Sequence, residues 1–334
     1  MKRYAQFILL LLLILTGALS TTTFAHESQP GLLELRQISG IRYEVTWRAP
    51  IYYGKPHPAQ LQLPEEWKTV GEPTVRQLRD SELFKTIVDI EEGFINDSII
   101  RFPGLEKTIT DVFVRISRLD GIETSQVVQP TKPFAELRGK RPWYVSSGEY
   151  LTLGFHHILM GIDHLLFVLG LLIIVSGRSM LLKTITAFTV AHSITLAIAT
   201  LGYAAIPAAP LNATIALSIL FLGPEIVRVW RGKTSFTIRH PWVVAFGFGL
   251  LHGFGFATGL STVGMPTTEI PLALLMFNIG VEFGQLVFVL LILLIAKSLK
   301  VLEFRWPSWV DYLPGYAIGS LGAYWTIQRT VMMF

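Results

Sequence analysis

The sequence contains no cysteine, and only 16% of its 334 residues are charged. The lack of cysteine excludes disulfides, thiolate metal sites and the cysteine-containing membrane motifs of soft-metal pumps. Hydrophobic residues make up 51% of the chain, which indicates a membrane protein rather than a soluble enzyme. The net charge of +4 does not indicate a nucleic-acid partner, because the basic residues recur beside apolar segments, where membrane topology accounts for them.

Residues 1–25 have the pattern of a secretory signal peptide. Lys2 and Arg3 precede an apolar core, and Thr23-Phe24-Ala25 fits a small-x-small cleavage site. An uncleaved anchor is the alternative. Cleavage would leave His26 at the mature N-terminus, where its free amine and imidazole could chelate copper with His57 as a third nitrogen ligand. A plain polar terminus without copper is the other interpretation.

Residues 26–140 read as a small all-β, sandwich-like domain. Short stretches of alternating hydrophobic and polar residues follow one another, with turns at Ser39-Gly40 and Asp120-Gly121 between them. The segment has no Ser-His-Asp order, no recognisable pair of carboxylates and no glycine-rich phosphate loop. We therefore expect a binding or docking module rather than an enzyme in this part of the chain.

Residues 141–149 form a linker or interface segment, in which Trp143 and Tyr144 suit the membrane surface. From residue 150 to residue 334 the chain carries apolar segments, each near the ~20 residues that cross a bilayer. The sequence thus predicts an α-helical polytopic membrane bundle of about six transmembrane helices. The segments run Tyr150–Val175, Thr184–Tyr203, Leu211–Trp230, Trp242–Val263, Pro271–Ala296 and Leu313–Met332.

Basic residues alternate between the loops of this bundle. The first, third and fifth loops carry them: Arg178 and Lys183; Arg231, Lys233 and Arg239; Lys297, Lys300 and Arg305. By the positive-inside rule these loops are cytoplasmic, and both termini lie outside. We therefore expect a multi-pass protein of a bacterial inner membrane, with the β domain in the periplasm.

Several apolar segments contain ionisable residues, each of which costs roughly 2.5–3.5 kcal/mol at the bilayer centre and usually has a function. Imidazole nitrogens and carboxylates are ligands of borderline divalent metals. The predicted metal ligands are His157, Asp163, His164, His192, His252 and Glu282, and the residues expected to orient them are His156, Asn278, Gln285 and Ser193. His157 and His164, seven residues apart, should share one face of a single helix.

Each of these residues also has a structural interpretation. A single buried histidine more often serves as a hydrogen-bonding group than as a metal ligand. Asn278 and Gln285, which share a helix face with Glu282, could simply tie neighbouring helices together. Glycines crowd the fourth segment, where they would let other helices approach its backbone closely. Arg329, near the end of the last segment, is expected to reach the lipid headgroups.

These segments resemble the HupE/UreJ family of small nickel and cobalt permeases. His157 to His164 fits its His-x5-Asp-His motif, and Thr186–Leu196, Phe246–Ala257 and Phe277–Gln285 also fit. The resemblance covers most of residues 150–295, and the first 140 residues look like the extracytoplasmic extension of a longer branch. It implies a divalent-metal permease that uses Asp163, His164, His192 and His252. The chain departs from the family's second motif, Phe-His-Gly-x-Ala-His-Gly-x-Glu, with Phe256 and Ala257 where a second histidine is expected.

The leading hypothesis is a secondary transporter for Ni²⁺, Co²⁺ or a similar divalent ion. The sequence has no nucleotide-binding motif, so an ion gradient or a separate subunit would drive it. One alternative is an intramembrane zinc hydrolase acting on a lipid or another membrane substrate. Another is a non-transporting metal sensor or an assembly factor for a metalloprotein. The expected partners are the lipid bilayer, the metal ion (Ni, Co or Zn, with Cu at the N-terminus) and either a second copy of the chain or a metalloprotein.

Overall fold

A computed structural model describes residues 30–51, 55–78, 81–91, 98–137, 142–263, 269–301, 310 and 312–333. The predicted signal peptide (residues 1–25) and His26 lie outside these residues. The chain forms two compact units. One comprises His26–Tyr150 and Gly259–Met276, and the other contains Leu151–Thr258 and Phe277–Phe334.

The N-terminal unit contains a six-stranded mixed sheet and a separate two-stranded sheet. The strands are β1 Gly31–Ser39, β2 Arg42–Pro50, β3 Lys68–Gln77, β4 Ser81–Asp89, β5 Ile99–Arg101, β6 Val112–Ser117, β7 Glu123–Val128 and β8 Phe134–Glu136. The larger sheet has the order β3-β4-β2-β1-β6-β7, and β5 pairs with β8. Strands β1 and β6 are parallel, whereas the other paired strands are antiparallel.

Hydrophobic alternation along β1 and β2 builds the core of this unit. Leu33, Leu35 and Val45 are fully buried on one face of the sheet. The Trp47 ring lies 5.3 Å from that of Phe102, which follows β5, so this face packs against the smaller sheet. The expectation of a β-rich N-terminal region is confirmed, and its core lies between a six-stranded sheet and a two-stranded sheet.

From residue 142 onward, the described residues are mostly helical. The helices are α1 Trp143–Met160, α2 Ile162–Ile174, α3 Arg178–Thr200, α4 Ala208–Trp230, α5 Phe236–Arg239, α6 Pro241–Val263, α7 Ile270–Val301 and α8 Leu313–Val331. Within the described residues, α3, α4 and α7 are long and apolar enough to cross a membrane, and the pair α1–α2 would make a fourth span. A helical membrane region is therefore confirmed. Residues 143–149, expected in the linker, form the first turns of α1.

The first apolar segment is a broken helix rather than a straight one. α1 ends at Met160, α2 begins at Ile162, and the two axes are bent by 71°. In a straight helix, seven residues would separate His157 and His164 by about 10.5 Å along the axis. The prediction that these two histidines share one face of a single helix is wrong, and the bend at Gly161 brings them together instead.

Glycines bring the helices of this unit into close contact. A Cβ at Gly249 of α6 would lie 2.6 Å from the carbonyl oxygen of Phe188 in α3. One turn later, a Cβ at Gly253 would overlap the carbonyl oxygen of His192. The expected role of the glycine-rich segment in close packing is therefore confirmed, and it holds His252 of α6 beside His192 of α3.

Candidate metal centre

Three histidines from three helices point ring nitrogens at one another. His157 lies near the end of α1, His164 in the first turn of α2 and His192 in α3, and one ring nitrogen of each lies within 4.8 Å of the others. Because a metal–imidazole bond is about 2.1 Å long, three nitrogens around one tetrahedral ion lie about 3.4 Å from one another. Side-chain movements that shorten the nitrogen–nitrogen distances by up to about 1.4 Å would bring all three to that separation.

Gly161 makes room for this arrangement at the helix break. A Cβ on Gly161 would lie 2.7 Å from Nδ1 of His164 and 2.9 Å from the carbonyl oxygen of His157. The ring centroids of His157 and His164 are 4.9 Å apart. A larger residue at the break would therefore press directly on the second histidine.

His252 of α6 extends the cluster to four imidazoles. Its ring centroid lies 4.8 Å from that of His164. Its Nε2 is 3.1 Å from Oγ of Ser218, and the Ser218 hydroxyl donates to the carbonyl oxygen of Ile215 at 2.6 Å. The serine oxygen therefore accepts a hydrogen bond from the Nε2–H group, which leaves a lone pair on Nδ1 of His252.

Asn278 of α7 orients His192 in a similar way. The Asn278 Oδ1 lies 3.2 Å from Nδ1 of His192. An amide oxygen only accepts hydrogen bonds, so Nδ1 carries the proton and Nε2 has a lone pair available. The structure thus brings together His192 and one of the residues that the sequence predicts to orient the ligands.

Five ring nitrogens of the four histidines are buried and have no hydrogen-bond partner among the described residues: Nε2 of His157, both nitrogens of His164, Nε2 of His192 and Nδ1 of His252. Buried polar atoms are nearly always paired, because leaving one unpaired costs about 1–3 kcal/mol. The cluster therefore gathers lone-pair donors at the expense of stability, and such donors suit a borderline divalent cation.

Aromatic rings enclose the cluster. Phe256, one of the two residues at which the resemblance leads us to expect a second histidine, lies 4.3 Å from the His157 ring and stacks on Phe277 at 4.5 Å. Phe188 contacts the rings of His192 and His252. These rings cover much of the cluster with apolar surface, and Ser218 and Asn278 supply its polar contacts.

Asp163 lies outside the three-histidine group. Its Oδ2 accepts a hydrogen bond from Nη2 of Arg329 at 2.6 Å, and both side chains are largely buried. Arg329 Nη1 also donates to the carbonyl oxygen of Asn212 at 2.9 Å. The expectation that Arg329 reaches the headgroups is wrong, because this side chain pairs with Asp163 inside the helical unit.

Glu282 and Gln285 also lie outside that group and join α7 to α3. Oε1 of Glu282 accepts from Thr186 at 2.8 Å, and Oε1 of Gln285 accepts from Thr189 at 2.9 Å. Ser193 donates to the carbonyl oxygen of Thr189 in its own helix. His156 contacts the ring of Phe155 and is not part of the cluster.

Sequence reasoning gave Arg329 a different role and missed three side chains that hold these groups: Ser218, Thr186 and Thr189. A charge within an apolar segment was the available signal for Arg329. Ser218, Thr186 and Thr189 gave no such signal in the sequence, since serine and threonine are common in membrane helices and often hydrogen-bond to their own backbone.

The predicted copper site lies in the β domain. His57 is buried there, its Nδ1 accepts a hydrogen bond from the Ala59 backbone amide at 3.1 Å, and burial lowers its pKa to about 4. Its proposed partner, His26, is outside the described residues. The copper site stays a prediction.

Comparison with known proteins adds one finding. A family model described as HupE / UreJ protein matches residues 135–329, which is more than half of the chain and includes all four clustered histidines. No curated protein matches the chain. The matched family consists of membrane proteins associated with nickel and cobalt handling. The chain therefore belongs to the HupE/UreJ family.

Proposed function

We propose that this protein transports a divalent transition-metal ion of the nickel or cobalt class across a membrane. The observation that carries the proposal is the convergence of His157, His164 and His192, whose ligand nitrogens lie within 4.8 Å of one another. Unpaired ring nitrogens in a buried place are costly, and coordination of one ion would satisfy several of them at once. The HupE/UreJ membership supports the same class of ion.

The charges around the cluster favour reversible binding. Its candidate ligands are imidazoles, which bind a metal in their neutral form. The carboxylate of Asp163 pairs with Arg329, and that of Glu282 accepts from Thr186. A conducted ion must bind well enough to enter and weakly enough to leave. A site with only neutral nitrogen ligands meets this requirement better than a site that also contains negatively charged carboxylate ligands. In this proposal Asp163 fixes the position of α2, the helix that carries His164. Glu282 contributes to the contact between α3 and α7.

The proposed topology has six spans: the bent pair α1–α2, then α3, α4, α6, α7 and α8. The signal peptide would direct the β domain to the periplasm of a bacterium, and the basic loops would face the cytoplasm. Within the N-terminal unit, Ser125 of the β domain donates to Glu269, which precedes α7, at 2.5 Å.

The test is metal binding and uptake by the full-length protein. Purified wild-type protein should bind Ni²⁺ or Co²⁺ at about one ion per chain and release it to a chelator. His192→Ala should bind at least tenfold more weakly and should not support uptake of ⁶³Ni²⁺ into cells, although it reaches the membrane at a normal level. Wild-type uptake by this variant would refute the proposal.

An intramembrane zinc hydrolase is the second candidate, because three histidines are also a common ligand set of catalytic zinc. Zinc bound there would supply an activated water molecule. An enzyme of this type would keep one zinc ion per chain after chelator treatment, whereas a transporter would lose it. A sensor or assembly factor would bind the ion reversibly but give no uptake in vesicles that contain the purified protein alone.

A further inference from the structure

A groove of about 510 Å³ lies between α4 and α8, and none of the clustered histidines lines it. One end is lined by basic side chains, and the other end by small and apolar ones. Pockets of this volume commonly hold small molecules. Neither metal transport nor the β domain requires this groove.

The basic end lies at the end of α4 and carries Arg228, Arg231 and Lys233. Arg228 donates to the buried carboxylate of Glu225, which also accepts from Ser235, so its charge is already balanced. Arg231 and Lys233 are exposed, and no ion pair involving either side chain is present among the described residues. The groove therefore offers two positive charges that no acidic side chain in the described part of the chain balances.

The last carbonyl groups of α4 are capped by the backbone. The backbone amides of Arg231 and Lys233 donate to the carbonyl oxygens of Val227 and Arg228 at 3.0 and 2.9 Å. Both side chains are exposed. The hydroxyl of Tyr316, on the facing helix, adds a hydrogen-bond donor to the lining.

The apolar part of the groove continues along both helices. It runs from Arg231 back to Leu220 on α4, about 16 Å at 1.5 Å per residue, which is roughly half of a ~30 Å hydrocarbon core. Gly223 and Gly319 lie at its floor, where the two helices touch. A free phosphate ion would fill only the basic end. A phospholipid would fill both parts, with its phosphate on the cations and an acyl chain along the helices.

We propose that this groove binds an anionic phospholipid from the membrane leaflet at the C-terminal end of α4. Two positive charges next to an apolar channel as long as one leaflet match a lipid that carries a net negative charge. A zwitterionic lipid offers the same acyl chains without that charge. Basic pockets between membrane helices recognise anionic headgroups by this combination.

The test uses the full-length protein in detergent, titrated separately with dioleoyl-phosphatidylglycerol, dioleoyl-phosphatidylcholine and inorganic phosphate, with binding followed by native mass spectrometry. Wild-type protein should bind phosphatidylglycerol at least tenfold more tightly than phosphatidylcholine. Arg231→Gln/Lys233→Gln should lose about 25-fold in affinity for phosphatidylglycerol, at about fivefold for each cation near a lipid surface. Arg178→Gln/Arg239→Gln, which removes two basic residues outside the groove, should lose less than threefold.

A second variant separates shape from charge. Ser320 is exposed and lines the apolar part, so Ser320→Phe should fill the channel and weaken phosphatidylglycerol binding while every cation remains. Equal binding of the two lipids would overturn the proposal. Saturation of the groove by inorganic phosphate alone would also overturn it, because the ligand would then be a soluble anion. A dimer without bound lipid would overturn it as well, because a second copy of the chain would then occupy the groove.

Discussion

Arg329 of α8 and Asp163 of α2 form a buried ion pair, with 2.6 Å between Nη2 and Oδ2. The two residues are far apart in sequence and lie in helices that each contribute to the core of the helical unit. Arg329 also binds the backbone of α4 through Asn212. One side chain thus links three helices and fixes the first turn of α2, next to His164.

Removal of one partner of this pair should be far more harmful than removal of both. Arg329→Gln leaves the Asp163 carboxylate buried without its cation, and we expect a loss of about 3–5 kcal/mol in stability. Asp163→Asn/Arg329→Gln should recover a substantial part of that loss. Thermal unfolding of the detergent-purified variants measures both effects. Strictly additive losses in the double variant would show that the two side chains do not interact.

The two adjacent histidines of α1 should behave differently. His157→Ala removes a member of the three-histidine group and should lower the affinity for Ni²⁺ at least tenfold, because one coordination bond is lost. His156→Ala is the matched control and should bind within threefold of wild type. Isothermal titration calorimetry measures both affinities. Equal losses for the two variants would argue that neither ring is a specific ligand.

Restoring the second histidine of the family motif should strengthen metal binding. The Phe256 ring lies 4.3 Å from that of His157, so a histidine in its place would add a nitrogen beside the cluster. We expect Phe256→His to bind Ni²⁺ at least tenfold more tightly and to release it more slowly to a chelator. Phe254→His, the same change two residues earlier on α6, is the control and should leave both values unchanged.

The glycine at the helix break should tolerate no side chain. Gly161→Ala would place a methyl group 2.7 Å from Nδ1 of His164, so the two clustered histidines of α1 and α2 must move apart. We expect weaker metal binding, by roughly tenfold, with the helical circular dichroism signal preserved. Gly247→Ala is the control, because a Cβ at that glycine meets nothing within 4 Å. Unchanged affinity in Gly161→Ala would mean that the break needs no free space.

His57 should make the β domain less stable in acid. Burial lowers its pKa from 6.5 to about 4, so the folded domain binds this proton less readily than the unfolded chain. Its contribution to stability is complete above about pH 6.5 and falls by up to about 3 kcal/mol as the pH drops to 4. Asp111, whose pKa burial raises to about 7, has the opposite dependence over the same range.

Comparison with a variant isolates the contribution of His57, because Asp111 is common to both proteins. The backbone amide of Ala59 donates to His57 Nδ1, so its hydrogen-exchange protection reports locally on this ring. Between pH 6.5 and pH 4, protection should fall more steeply in wild type than in His57→Asn. Parallel curves would show that the ring does not control this loop.

The β domain could be predicted only where its strands have one buried face. Hydrophobic patterns marked β1, β2, the end of β4, β5 and β6, and the turns at Gly40 and Gly121 were in the expected places. Strand β3 was missed because nearly all of its residues are exposed, so that its side chains follow no alternating pattern. The parallel pairing of β1 with β6 joins segments far apart in sequence, and hydrophobic patterns do not encode which strands become neighbours.

The site was predictable in its residue types but not in its grouping. The histidines of the apolar segments attracted attention because burial of such groups is costly, and four of them lie together. The same signal did not show which residues group together, since Asp163 and Glu282 lie outside the three-histidine group. Their partners, Arg329 and Thr186, are far away in the chain, so only the packing of the helices reveals them.

The break between α1 and α2 couples the angle between these helices to the geometry of the histidine cluster. His157 and His164 lie on opposite sides of the break, so the 71° bend sets the gap between their rings. An ion held by both rings would stabilise the bent form, and by thermodynamic reciprocity any force that straightens the two helices would weaken its hold on the ion. The angle between α1 and α2 and the affinity for the ion are then thermodynamically linked. A change in the backbone at Gly161 would alter the affinity, and binding of the ion would alter the angle.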